Sequence, residues 1–469
     1  MQRISELKSD LDGLQIEDNP RRVQMKSRDF YWYSPILKQQ LDPLSADLLV
    51  TPRTEAEIAR VLSACFSRDV PVTPRGAGTG NYGQAVPLAG GVVMDLSRMA
   101  GIKRIDNGRA VVEPGVVLFD LENKARNDAA LELRMHPSTA ETATVGGFVA
   151  GGSAGVGSIR WGGLYDIGNI LRLEVMTLES EPRRITLTGE AIRLAQHAYG
   201  TTGIITEIEL PLAPTSQWID VLVGFDDWIA GLRCGEAIAF ENGLLLRQLG
   251  VIEAPIPYDC FKRHQALLRR DQSLMVLTVA AESLDPVLGI IARSHGEVLH
   301  STRLASAADR EELPAGYLLC WNHTTLRALR VDPAITYLQI GYPANDPIAA
   351  IERIGRRLGE EVPGHVEFRR TGRGTAISGL PLVRFTTAAR LDEIIAFHEA
   401  EGCINWSAHH CTLEEGGGHQ LDVAKLAFKR QVDPKGLLNP GKMIGFEDPG
   451  YDFAARAGYR YPGIRRALS

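Results

Sequence analysis

The chain has 469 residues, about three times the usual domain size, so two domains or one large composite domain is expected. Apolar residues at 44% and charged residues at 23% exclude a disordered chain and allow a sizeable core. A net charge of −6 argues against a nucleic-acid or anionic-membrane binder that works by bulk charge. The abnormal number is glycine: 18 of the 47 fall in the 93 residues from Gly76 to Gly168.

The first residues, MQRISELKSDLDGLQIEDNPRR, are charged and show no apolar h-region, so no secretory signal is expected. No apolar run approaches the length of about 18 residues that would suggest a spanning helix. TEAEIARVLSACFSR (residues 54–68) predicts an amphipathic helix, with Thr54 as cap and Ile58, Val61, Leu62 and Cys65 on one face. A β-like run, Val70–Thr73, leads into the glycine loop PRGAGTGNYGQ. Strands are expected at Gly90–Ser97 and Gly108–Val116, a helix at Phe119–Ala129, and further strands at Leu171–Leu178 and Gly203–Leu210. Between them lies a second glycine-rich stretch, TVGGFVAGGSAGVGS, from Thr144 to Ser158.

Pro211 and Pro214 mark an expected boundary, beyond which glycine thins out. Helices at Pro347–Leu358 and Arg390–Ala400 alternate with β-like runs at Leu274–Ala280, Ile335–Ile340 and Gly364–Arg369. The segment Leu421–Gly445 reads as a helix followed by the turn-rich VDPKGLLNPGKM. The six cysteines are scattered without a C-x-x-C pair, which excludes iron–sulfur and zinc-finger spacings and fits reduced thiols. A cytoplasmic protein without a membrane span is therefore expected.

Gly78-Thr79-Gly80-Asn81-Tyr82-Gly83 satisfies the G-x-G-x-x-G pattern of NAD-binding folds. That fingerprint requires a helix to open at the loop. Here QAVPLAGGVVMDLS follows, and Pro87, Gly90 and Gly91 do not suit the first turns of a helix, so the NAD reading fails on context. The glycines still allow consecutive backbone N–H groups to converge on an anion, with Arg75, Thr79 and Asn81 adding charge or donors. The second stretch repeats this chemistry about 70 residues later, which suits a long ligand such as a dinucleotide lying along bare backbone.

Five segments in order resemble the FAD-binding domain of the vanillyl-alcohol oxidase and p-cresol methylhydroxylase type. They are ADLLVTPRTEAEIARVL, PRGAGTGNYGQAVPLAGGVVMDLSRM, HPSTAETATVGGFVAGGSAGVGSIRWG, YGTTGIITEIELPLAP and VDPKGLLNPGKM. The resemblance implies an α+β fold: a two-subdomain FAD-binding domain over 1–214 (core about 42–214), an antiparallel-sheet cap over 215–424, and a C-terminal return over 425–469. It implies that the backbone amides of Gly76, Ala77, Gly78, Thr79, Gly80 and Asn81 hold the FAD pyrophosphate, with Arg75 and Gln84 also binding the cofactor. Pro137, Ser138, Thr142, Gly146, Gly147, Ala150 and Gly151 would line the flavin, with Ile205 near the adenine or ribose and Asn439 and Lys442 closing the site. Thr79 stands where some subfamilies attach FAD through histidine, and no cysteine lies between Cys65 and Cys234, so non-covalent FAD is expected.

On the substrate side the resemblance implies hydride transfer from a small organic substrate to FAD, with oxygen or another, unknown acceptor reoxidising it. Oxidation of an alcohol or hydroxyl-bearing carbon is the expected reaction. The alternatives are an electron-carrying subunit of a larger complex and a 2-hydroxy-acid dehydrogenase. His409 and His410 in NWSAHHC are the candidate bases, one of them facing the flavin if the segment is extended; packed or surface histidines are the plain alternative. Arg369, with Arg370 and Arg373, could clamp a carboxylate. His410, Glu414, Glu415 and His419 fit no metal-ligand spacing, so no metal is expected. GHVEFRR and SAHHCTLEEGG depart from the G-H-x-G-D-G-N-x-H and E-H-G-x-G stretches of metal-assisted hydroxy-acid members. A homodimer is compatible with the family.

Overall fold

The computed structural model describes residues 2–303, 313–455 and 458–464. Near the N-terminus, strands Leu48–Val50, Val92–Asp95 and Val72–Arg75 lie parallel in that order, with Ile16–Glu17 antiparallel at the edge. Parallel neighbours need a crossover, and the helix Glu55–Ser67 supplies it. Thr54 starts that helix because its hydroxyl accepts the Glu57 N–H at 3.2 Å. The apolar stripe read from the sequence, Ile58, Val61, Leu62 and Cys65, is buried against Leu48, Val50, Val72 and Met94.

The second sheet is antiparallel, in the order Ile102–Asp106, Arg109–Val112, Ile204–Pro214, Arg172–Met176, Arg184–Thr188. Its central strand runs through both prolines expected to end it. At Pro211 the pairing with Arg109 stops and pairing with Leu131–Leu133 begins at Leu212, so the missing proline donor falls at a handover between partners.

The third sheet has eight antiparallel strands, from Glu297–Ser301 at one edge through Trp218–Phe225, Ser273–Ala280, Leu246–Ile252, His365–Thr371, Gly374–Gly379 and Ile340–Gly341 to Ile404–Asn405. Helices Trp228–Phe240, Leu284–Arg293 and Pro347–Leu358 cover one face with Leu232, Ile238, Val287, Ile291 and Ile351 against Val251, Val366 and Phe368. Strand alternation then turns Glu367 and Arg369 to the other face. The run Ile335–Ile340 is not one strand. Ile335–Tyr337 pairs with Leu382–Arg384 in a separate ribbon, whereas Ile340–Gly341 joins the large sheet.

The helix Val423–Val432 returns to the N-terminal part, where Phe428 and Val432 enter the core of the second sheet. Beyond it the chain bridges in parallel to Val72: Val72 N donates to Leu437 O and Asn439 N to Val72 O, each at 2.8 Å. The C-terminal segment thereby adds a partner to the first sheet beside the glycine loop. Among the described residues, no helix is long and apolar enough to cross a membrane.

Candidate active site

A cavity of about 550 Å³ lies where both glycine segments meet the large sheet on the side away from those three helices. The first loop is held from behind. The Arg75 guanidinium donates to Lys26 O and Ala77 O at 3.0 Å and to Arg28 O. It fills the space under Gly78, which sits at φ +71° and where a Cβ would stand 2.2 Å from Arg75 Nη2. Asp29 accepts the Gly83 and Ala85 N–H groups at 3.2 Å, and burial pushes its carboxyl up to about 6. Lys442 Nζ donates to Gly83 O at 2.7 Å, and Asn439 Nδ2 donates to Gln84 O and Tyr199 O at 2.8 and 2.7 Å.

These ties leave the front of the loop open. Among the described residues, the backbone N–H groups of Ala77, Gly78, Thr79, Gly80 and Asn81 donate to no protein acceptor. Five successive unsatisfied amides on a cavity wall need an external acceptor, and an oligophosphate supplies one. The second segment departs from expectation: Val145–Gly151 is a helix rather than a loop. Thr144 caps it through Oγ1 to Gly147 N at 3.2 Å, and Gly146 lets it lie on Pro114, whose Cβ a side chain would meet at 2.4 Å. Gln84 Nε2 ties the two segments together by donating to Gly151 O at 2.9 Å.

The opposite wall is polar and aromatic. Arg369 donates through Nε to Ser378 Oγ at 2.6 Å and lies 5.7 Å over the Trp406 ring. It has no carboxylate within ion-pair distance among the described residues, and burial lowers its pKa. Trp321 is held at φ +54°, a conformation that costs about 1–3 kcal/mol. The buried Glu367 accepts its N–H at 2.7 Å and Gln248 accepts its indole N–H at 2.8 Å. The following Asn322 Oδ1 and His323 Nδ1 are buried and lack a hydrogen-bond partner. Burial lowers His323 and His197 to about 4, so both imidazoles are neutral at physiological pH. Tyr82, whose hydroxyl bonds Gln339, is pushed up to about 12 by burial.

The model of the FAD binding domain family matches residues 46–186. A D-lactate dehydrogenase of Archaeoglobus fulgidus is 31% identical over 433 residues, covering 85% of this chain and 91% of that protein. The chain belongs to the PCMH-type FAD-linked oxidases and dehydrogenases. Glycolate oxidase subunit GlcD of Escherichia coli (strain K12) is 32% identical over 231 residues, 45% of this chain and only 44% of that relative's length. Among solved structures, an alkyldihydroxyacetonephosphate synthase aligns with a TM-score of 0.70 over 94% of this chain and 86% of the other, at 15% identity. That likeness concerns the fold alone. FAD is the cofactor, and the unsatisfied amides of the first loop fit its pyrophosphate.

In this flavoprotein, Arg75, Gly76, Ala77, Gly78, Thr79, Gly80, Asn81, Gln84, Pro137, Ser138, Gly146, Gly147, Ala150, Gly151 and Ile205 all line the cavity. Thr142 and Asn439 do not. Thr142 is exposed and bonds Thr139 O, leaving Thr144 at the wall; Asn439 works from behind the loop. The two histidines also need correction. Ala408 and His409 form a turn, not an extended segment, and neither His409 nor His410 lines the cavity. His409 spends both ring nitrogens on Ser34 Oγ and Tyr337 O, at 2.8 and 3.0 Å, and burial lowers it to about 4. His410 stands behind Ser407, which does line the cavity. Arg369 lies in the wall as anticipated. Tyr165, Trp321, Asn322, His323 and Gln339 carried no local sequence signal, because pairing between distant strands brings them there.

Proposed function

We propose that this chain oxidises the hydroxyl-bearing carbon of a small 2-hydroxy acid, the electrons leaving FAD for oxygen or another acceptor. The observation that carries this reading is the Arg369 guanidinium, half-buried in the wall of the cofactor cavity and without a carboxylate within ion-pair distance among the described residues. A planar fork over an aromatic ring suits a carboxylate. The names of the relatives, a D-lactate dehydrogenase and a glycolate oxidase subunit, agree with such substrates.

In this reading the amides of Ala77–Asn81 hold the pyrophosphate, and Pro137, Ser138, Gly146, Gly147, Ala150 and Gly151 flank the flavin. Ile205 lies toward the adenine side. Bound FAD supplies a hydride acceptor. The protein orients the acid through Arg369 and keeps the wall imidazoles uncharged, so that Arg369 is the cation the substrate meets. Residues 1–214 with 425–469 would form the FAD unit and 215–424 the cap. Six free cysteines, five of them buried, support a cytoplasmic setting.

The purified chain is expected to be yellow, and acid precipitation to release its flavin into the supernatant. Anaerobic bleaching of that colour by D-lactate or glycolate supports the reading. Failure across hydroxy acids and alcohols favours an electron-carrying subunit instead. Arg369→Met should lower kcat/KM for the acids roughly a hundredfold, about 3 kcal/mol, while Arg369→Lys recovers part of the loss. Unchanged kcat/KM in Arg369→Met would remove Arg369 from the substrate site.

A further inference from the structure

We propose that Ser407, His410 and Glu415 form a proton relay that leads out of the cavity, with Ser407 Oγ as the atom that meets the substrate hydroxyl. The proposal rests on the oxidoreductase reading above and deepens it.

Ser407 lines the cavity and is 6% exposed. Its Oγ lies 2.7 Å from His410 Nδ1 and accepts the His409 N–H at 3.3 Å. With His410 in the tautomer that carries its proton on Nε2, the hydroxyl donates to Nδ1 while a backbone dipole faces its oxygen, the arrangement that favours charge developing on Oγ. His410 Nε2 faces Glu415 Oε1 at 3.9 Å. Glu415 is 2% exposed and fixed on both oxygens, by the Thr412 hydroxyl and by the Tyr459 N–H, each at 2.7 Å. The His410 side chain is 35% exposed, so the chain of groups ends at solvent. Among the described residues, titratable groups near His410 include His409 and Cys411 along the chain and Glu415 and His419 beyond them. His409 has no part in the relay, because both its ring nitrogens are occupied.

The position of Arg369 strengthens the case. Its guanidinium covers the ring of Trp406, the residue immediately before Ser407. Arg369, Trp406 and Ser407 line the same cavity, so a carboxylate gripped by Arg369 shares that space with Ser407. The substrate O–H bond breaks as its proton passes to Ser407 Oγ, while the Ser407 proton moves to His410 Nδ1. Serine is regenerated unchanged, and the new imidazolium charge faces the Glu415 carboxylate. With FAD bound as the hydride acceptor, the substrate would lose this proton and one hydride and become a carbonyl.

Two readouts on the FAD-loaded chain test this. The first needs no turnover: ¹⁵N-histidine NMR, with His410 assigned by its own substitution. The relay requires that neutral His410 accept at Nδ1 and carry its proton on Nε2. Ser407→Ala should then shift the Nδ1 resonance, Ser407→Thr should restore it, and Glu415→Gln should shift the Nε2 resonance. The second is turnover of D-lactate and glycolate. His410→Ala should lower kcat about a hundredfold with KM little changed, and added imidazole should restore part of it. A His410 spectrum indifferent to Ser407→Ala, or a kcat indifferent to His410→Ala, overturns the relay. If the parent chain oxidises neither acid, the hydroxy-acid reading falls separately, and the NMR coupling decides whether the three groups form one chain.

Discussion

Lys429→Met is expected to destabilise the folded chain by about 3–5 kcal/mol, because it leaves a buried carboxylate without its counter-charge. Lys429 is 1% exposed and Asp433 fully buried. Lys429 Nζ bonds Asp433 Oδ2 and donates to Leu438 O at 2.9 Å. Asp433 in turn accepts the Leu437 and Leu438 N–H groups at 3.0 and 2.7 Å. This small network shapes the turn that delivers Leu438 to Val72 and Asn439 to the glycine loop. The loss should therefore appear twice, as a lower midpoint in denaturant and as weaker retention of FAD. Adding Asp433→Asn removes the stranded charge but keeps an acceptor for the amides, so the double variant should recover about half of the stability. A single variant within about 1 kcal/mol of the parent would show that the pair carries no such weight.

Gly76→Ala is expected to weaken FAD binding by about a hundredfold. An alanine Cβ would stand 2.2 Å from Thr144 Oγ1, the atom that caps the Val145–Gly151 helix. Moving Thr144 away costs about 1 kcal/mol of capping and the overlap about 1–3 more, which together correspond to roughly two decades of affinity. Both cofactor-facing segments move, because Gly76 and Thr144 are their point of contact. Titration of the apo-protein with FAD, followed by flavin fluorescence, measures the effect. Gly76→Ala with Thr144→Ala opens the space again and should bind more tightly than Gly76→Ala alone. If the double variant binds no better, the contact with Thr144 is not the cause.

Local signals carried single elements on both the FAD side and the cap side of the molecule. The Thr54 cap, the stripe Ile58–Cys65 and the helix Pro347–Leu358 were all legible, because capping and 3.6-residue periodicity depend on neighbours in sequence. The Val145–Gly151 helix was not. Glycine is a poor helix former, costing about 1 kcal/mol per residue, and what selects it here is the close approach to Pro114, a long-range contact. The division of Ile335–Ile340 between two sheets was hidden for a similar reason: apolar alternation reports that a strand is half-buried and says nothing of its partner. The histidine pair shows the same limit at the site. Alternation along an extended segment suggested that one ring faces the cofactor, whereas the turn at Ala408–His409 sends one ring into the core and the other behind Ser407. Arg369 was recognisable as a candidate carboxylate clamp by residue type, and its place in the cavity wall without an ion pair among the described residues emerged only in three dimensions.

The bridge from Leu438 to Val72, together with the reach of Asn439 and Lys442 to Gln84 and Gly83, has a consequence for biosynthesis. A ribosome finishes the glycine loop more than 350 residues before it adds the lysine that secures it. Through that interval the nascent first sheet has an unpaired edge at Val72 and a glycine loop lacking two of its rear supports. Cofactor capture is thus expected to wait for synthesis of the Asn439–Lys442 segment.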